Sequence, residues 1–173
     1  NRAWNHWIRR GTPWVIAKCG MTLDGKIATA RGASRWITSP AARRDAQRLR
    51  ARVDAILVGV NTVLQDDPRL TARVSGLERQ PLPVILDTHA RTPPRARLLG
   101  RNAFAWIMVG PQAPAKRVAG LRKRGAIVVR VPRDAGGVQL SAVLRRLGRA
   151  KVVAVLVEGG GTVLGSFFQE RRV

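Results

Sequence analysis

Adjacent carboxylates, a lysine inside an apolar run and a triple-glycine turn are the residues here whose types and spacing could do chemistry. Asp66-Asp67 stands beside Pro68. A positioned carboxyl group can steer a proton or orient an amine, although neighbours in sequence do not easily face one ligand, so at most one is expected to act. The alternative is ordinary solvent-facing turn chemistry. Lys18 interrupts the apolar run Trp14–Met21. A lysine there is either paired at a site or snorkels from a strand edge. Glu158-Gly159-Gly160-Gly161 follows an apolar run and leads into an apolar helix pattern. A strand that turns through glycines into a helix presents bare backbone N–H groups, which suit a phosphate. The same residues equally describe a plain tight turn, and they are not a G-x-G-x-x-G fingerprint. Trp36 lies in a polar stretch, where it could stack on a flat ring or close a core.

Other chemistries are disfavoured. One cysteine, Cys19, rules out an internal disulfide or a cysteine-rich zinc site. His6 and His89 lack partners at metal-ligand spacing, so no metal is expected. With two histidines and no G-x-S-x-G, nothing in the sequence points to a nucleophilic hydrolase. The net charge of +22 comes from 32 basic residues, mostly arginine, against 10 acidic ones. It predicts attraction to anions. The basic residues run along the whole chain without an aromatic-interleaved module, so arginine on solvated faces is expected rather than a specific nucleic-acid interface. No apolar run approaches the ~20 residues of a membrane span. The opening residues have no signal-peptide core, and a cytoplasmic location is expected.

The elements that must position these residues alternate in type. Strands are expected over 14–21, 55–60, 83–87, 103–109, 126–131 and 152–157. Helices are expected from Ser39-Pro40, over 113–124 and over 139–149, with another after the glycines. Ala42, Ala46, Leu49 and Val53 give the first of these an apolar face opposite Arg43, Arg44, Arg48 and Arg52. Asn61 or Thr62 is expected to cap a short helical turn that Asp66-Asp67-Pro68 ends. Asp24-Gly25 marks a turn, and 75–82 and 88–100 read as loops. Continuous apolar strands imply a sheet covered on both faces. The class is therefore α/β, a mostly parallel central sheet with helices on both sides.

Four motifs, in order, resemble the reductases of riboflavin biosynthesis. They are Met21-Thr-Leu-Asp-Gly-Lys26, Ser34-Arg-Trp-Ile-Thr-Ser39, Ala55 through Thr71, and Val155-Leu-Val-Glu-Gly-Gly-Gly161. Gly161 stands where many of those reductases have proline. The resemblance covers about residues 1 to 170 and implies a dihydrofolate-reductase-like fold. It also implies NADPH-dependent reduction of 5-amino-6-(5-phosphoribosylamino)uracil to the ribitylamino compound. By the same resemblance, Gly20, Trp36, Thr62, Asp66 and Thr88 match NADP-contacting positions. The stretch Gly160, Gly161, Thr162, Val163, Leu164, Gly165 and Ser166 matches the cofactor-phosphate loop. Ser34, Arg50, Leu70, Arg73 and Glu158 match substrate-contacting positions, with Arg50 and Arg73 as candidates for the substrate phosphate. Asp66 and Lys18 are the catalytic candidates. A homodimer or larger assembly is expected, with no specific nucleic-acid or membrane partner. A pterin-type reductase of the same fold and a catalytically retired basic binding domain remain the alternatives. Residues 1–12 resemble the linker from a preceding deaminase domain. Residues 13–173 are expected to form the reductase domain, short of its last strands. The chain has no H-x-E with P-C-x-x-C for zinc-dependent deamination.

Overall fold

In the computed structural model, which describes residues 1–30, 36–100 and 104–173, six strands form one sheet in which every neighbouring pair is parallel. In chain order the elements are α1 (Arg2–Arg10), β1 (Trp14–Ala17), α2 (Pro40–Arg50), β2 (Ala55–Gly59), α3 (Val60–Asp66), β3 (Leu82–Leu86), β4 (Trp106–Val109), α4 (Ala115–Lys123) and β5 (Ile127–Arg130). A hairpin of β6 (Arg133–Asp134) and β7 (Gly137–Val138) follows, then α5 (Leu140–Arg149), β8 (Ala154–Val157) and α6 (Gly161–Gln169). The order across the sheet is β1-β8-β2-β3-β4-β5. The last strand in sequence therefore sits between the first two.

Alternate side chains of each strand point to opposite faces, and the core divides accordingly. On one face Ile56 and Val58 of β2 pack with Val60 and Val63 of α3, Val118 and Leu121 of α4, and the half-buried Leu49 of α2. On the other, Ala55 and Leu57 pack with Val143, Leu144 and Leu147 of α5 and Leu164 and Phe167 of α6. β2 and β8 are buried at every position. That is why they read as unbroken apolar runs.

Ser39 caps α2, its hydroxyl accepting from the Ala42 amide at 3.2 Å, with Pro40 in the first turn. The expected apolar face of α2 is only half covered, and no residue of the helix is fully buried. The helix after β2 starts earlier than expected. Its N-cap is Gly59, not Asn61 or Thr62, and no side chain caps it. Packing of Val60 and Val63 starts it, rather than local capping chemistry. β1 is four residues long and stops at Ala17. Lys18 donates one more backbone bond to Val157 O at 3.0 Å, after which the chain leaves the sheet. The β6–β7 hairpin had no counterpart in the expected elements. Two-residue strands are too short to carry a period.

Residues 2–10 form a helix. Asn1 caps it and Gly11 ends it in the left-handed conformation, φ 66°. It docks at α5, where Trp7 Nε1 donates to Gly148 O at 3.0 Å. His6 lies 3.2 Å from Thr12 Oγ1, with its ring edge-on to Trp14. Gly148 is required there, because a β-carbon would come 2.0 Å from Gly11 O.

Candidate active site

Parallel strands end together, and loops leaving those ends enclose space that the sheet cannot fill. Here the carboxyl ends of β1, β8, β2 and β3 open into a cleft of about 860 Å³. Lys18, Cys19 and Gly20 follow β1 and form part of its wall. Glu158 and the three glycines follow β8. Asn61, Thr62, Gln65 and Asp66 come from α3, and Thr88, His89 and Arg91 from the loop after β3. Residues Arg133 to Val138 of the hairpin close it.

The glycine turn is shaped for close approach. Gly160 is the N-cap of α6, and no side chain caps the helix. Gly161 and Thr162 line the cleft, and their amides, in the first turn of α6, have no acceptor among the described residues. Orphaned amides at a helix start favour an anion. Gly159 lies against α6, where a β-carbon would meet Val163 Cβ at 2.7 Å, while nothing lies within 4 Å of one at Gly160. The turn thus packs on one side and stays open on the other. These features fit the phosphates of a dinucleotide.

Beside it lies the strongest ion pair of the site. Arg50, at the end of α2, donates from Nε to Glu158 Oε1 at 2.9 Å and from Nη2 to Oε2 at 2.6 Å. Its Nη1 donates to Thr71 O at 3.0 Å. The two side chains are 16% and 10% exposed, so the pair is largely desolvated and geometrically fixed. It ties β8, α2 and the segment after α3 together across the cleft wall. Arg43 also turns inward, not to solvent as its place on the helix suggested. Its guanidinium lies 4.3 Å from the Trp36 ring centroid, and Nη1 donates to Thr38 O at 2.7 Å. Trp36 itself is 72% exposed, so it closes no core and keeps a ring face at the cleft.

The adjacent carboxylates separate. Asp66 lines the cleft. Asp67 takes the left-handed conformation at the end of α3, φ 40°, and its Oδ1 accepts from the Arg97 amide at 2.8 Å. Asp24, in the turn before the cleft residues Ile27 and Ala28, contacts Lys26 and Thr22. The Lys26 ammonium, then the Thr22 hydroxyl, hold its carboxyl below the ordinary carboxylate range.

Of the expected cofactor positions, Gly20, Trp36, Thr62, Asp66, Thr88, Gly160, Gly161, Thr162, Val163, Leu164 and Ser166 line this cleft, and so do Lys18, Arg50 and Glu158. Gly165, Leu70 and Arg73 are not among its lining residues. Leu70 is buried in the core with φ 53°, so the structure does not bring its side chain to the cleft as the expected substrate contact. Arg73 is exposed, and its amide donates to Gln47 Oε1 at 2.9 Å. Ser34 lies outside the described residues. Arg43, Asn61, His89, Arg91 and the hairpin residues join the cleft without having been singled out. They come from helices, a loop and a hairpin distant in sequence, and no local pattern marks them.

Among the described residues no group of His, Cys, Asp and Glu could hold a metal, and no helix is long and apolar enough to cross a membrane.

Residues 13–173 match the family model described as RibD C-terminal domain. The chain is 46% identical over 153 residues to the 2,5-diamino-6-ribosylamino-4(3H)-pyrimidinone 5′-phosphate reductase of Methanothermobacter thermautotrophicus, covering 87% of this chain and 69% of that protein. It is 39% identical over 168 residues to the riboflavin biosynthesis protein RibD of Bacillus amyloliquefaciens, covering 96% of this chain and 45% of that one. Among solved structures, Acinetobacter baumannii RibD superposes with a TM-score of 0.82 at 32% identity, over 100% of this chain and 47% of that one. The chain thus spans less than half the length of the RibD proteins it matches.

Proposed function

The chain belongs to the RibD C-terminal domain family, and we propose that it reduces 5-amino-6-(5-phosphoribosylamino)uracil to its phosphoribitylamino product with NADPH. The observation that carries this reading is one cleft that joins an uncapped helix start behind a glycine turn to Lys18, Asp66 and the Arg50–Glu158 pair. The amides of Gly161 and Thr162 would hold the cofactor diphosphate, and Trp36 offers a ring face to a flat group. When bound, NADPH supplies the hydride.

The remaining work belongs to the chain. The substrate's ribosylamine opens to an imine, whose C1 takes hydride while its nitrogen takes a proton. Asp66 and Lys18 stand in the cleft as the groups that hold and deliver that proton. Glu158 fixes the Arg50 guanidinium so that its uncommitted N–H groups are available to the substrate. Positioning the two reactants against each other and excluding water supply much of the rate.

The test is NADPH oxidation, followed by absorbance with and without the phosphoribosylamino-pyrimidine. Substrate-dependent oxidation is the expected result. Saturable NADPH binding without oxidation would favour a different substrate, such as a pterin, and absence of both would leave a retired scaffold.

A further inference from the structure

Residues 68–73 follow α3 and lie in no helix or strand. Among the described residues, none of them makes a backbone–backbone hydrogen bond. Leu70 and Ala72 are nevertheless buried. Buried backbone without a ladder must find its partners in side chains.

Three side chains supply them. Gln80 forms a cyclic pair with Ala72: the Ala72 amide donates to Oε1 at 2.9 Å, and Nε2 donates to the Ala72 carbonyl at 3.1 Å. Gln47 Oε1 accepts from the Arg73 amide at 2.9 Å. Arg50 Nη1 donates to the Thr71 carbonyl at 3.0 Å. The contacts alternate along the chain. Thr71 and Arg73 turn to side chains of α2, and Ala72 between them turns to Gln80. Extended backbone presents the polar groups of successive residues to opposite edges, so side chains pair this segment where a sheet would pair it by backbone. Gln47 and Arg50 stand one turn apart on α2 and share the face that meets the segment.

The consequence lies at Arg50. Glu158 grips its Nε and Nη2. A carboxylate on that edge alone leaves the joined pair free to rock, and the Thr71 carbonyl on Nη1 stops it. The carbonyl is in turn held in place by the bonds on the next two residues. Arg50 lines the cleft, whereas Gln47 and Gln80 do not, and Gln80 is exposed. We propose that Gln80, supported by Gln47, is a positioning residue: by holding the Thr71 carbonyl against Nη1 it directs the Arg50 guanidinium, and so sets the affinity for the pyrimidine substrate without touching it. This rests on the reading that Arg50 meets that substrate.

The experiment compares the intact chain, Q80L, Q47L, R50M and the double variant Q80L/R50M in NADPH oxidation with the phosphoribosylamino-pyrimidine. Solvent exchange of the Arg50 Nε–H is followed by NMR in the chains that keep it. Leucine retains the bulk of glutamine and removes its amide. Q80L is expected to raise the KM for the pyrimidine about tenfold, the worth of one hydrogen bond to a charged group. Its kcat and NADPH dissociation constant should stay unchanged, and its Arg50 Nε–H should exchange faster. Q47L should act in the same direction. Added to R50M, Q80L should raise KM no further, because the glutamine acts through the guanidinium. An unaltered KM or unaltered Nε–H exchange in Q80L would overturn the proposal, and so would an equal rise in KM with and without Arg50, as a merely structural loop bond would give. If R50M fails to fold, KM and Nε–H exchange in Q80L decide alone. In an intact chain without substrate-dependent oxidation, faster exchange in Q80L would uphold the seating of Arg50 and sink the reductase reading, while unchanged exchange would overturn the seating as well.

Discussion

At the scale of residues, the two adjacent aspartates show how one peptide unit separates a site residue from a structural one. Asp66 faces the cleft while Asp67 turns to the Arg97 amide. Asp66→Asn is therefore expected to lower turnover about a hundredfold or more, the scale of general acid–base assistance, and Lys18→Met to lower it as well. Asp67→Ala should instead cost about 1 kcal/mol of stability through the lost hydrogen bond and leave turnover unchanged. Steady-state rates and urea unfolding of the three variants check both halves. Full turnover in both D66N and K18M would remove them from the reaction. Glu158 combines the two roles. Its carboxylate holds a largely buried guanidinium, so Glu158→Gln should cost about 1–3 kcal/mol in urea unfolding and raise the KM for the pyrimidine. A raised KM without loss of stability would mean that the pair serves the ligand alone.

At the scale of elements, strand ends and helix starts do the positioning. The glycine turn works because it joins the end of β8 to an uncapped helix. The helix α1 illustrates docking through a missing side chain. Gly148 lets the backbone of Gly11 and Thr12 approach α5, and Trp7 then reaches the Gly148 carbonyl. Gly148→Ala should overpack that contact and cost about 1–3 kcal/mol. Amide exchange would show α1 opening more readily, with the NADPH dissociation constant unaltered. Slowed exchange in α1, or an unchanged unfolding curve, would contradict the close approach.

At the scale of the whole molecule, the charge of +22 surrounds a cleft whose expected ligands are anions. Such a field should speed their encounter, and salt should screen it, because the Debye length falls from about 10 Å at 0.1 M to about 3 Å at 1 M. The association rate of NADPH is expected to fall about tenfold across that range, with little change in dissociation, as stopped-flow fluorescence would show. A salt-independent association rate would mean that the arginines leave no net field at the cleft. Much of this architecture was legible in the chain itself. The unbroken apolar runs of β2 and β8 required a sheet covered on both faces, Ser39-Pro40 marked the start of α2, and Glu158 through Gly161 marked the turn, because each of these is a local demand of backbone geometry or burial. The short motifs, read together, also pointed to part of the cleft wall, among them Trp36, Thr62, Asp66 and Glu158 through Gly161. Other features depended on contacts that no local pattern encodes. β8 enters between β1 and β2, so Glu158 meets Arg50 across more than a hundred intervening residues. Arg43 turns in over Trp36, Arg73 stays outside the cleft, and Arg91 and Arg133 arrive at one wall from separate elements. In a chain with so many arginines, residue type distinguishes none of them. Only the packing of strands and helices decides which guanidinium is paired, which lines the cleft and which is left in water.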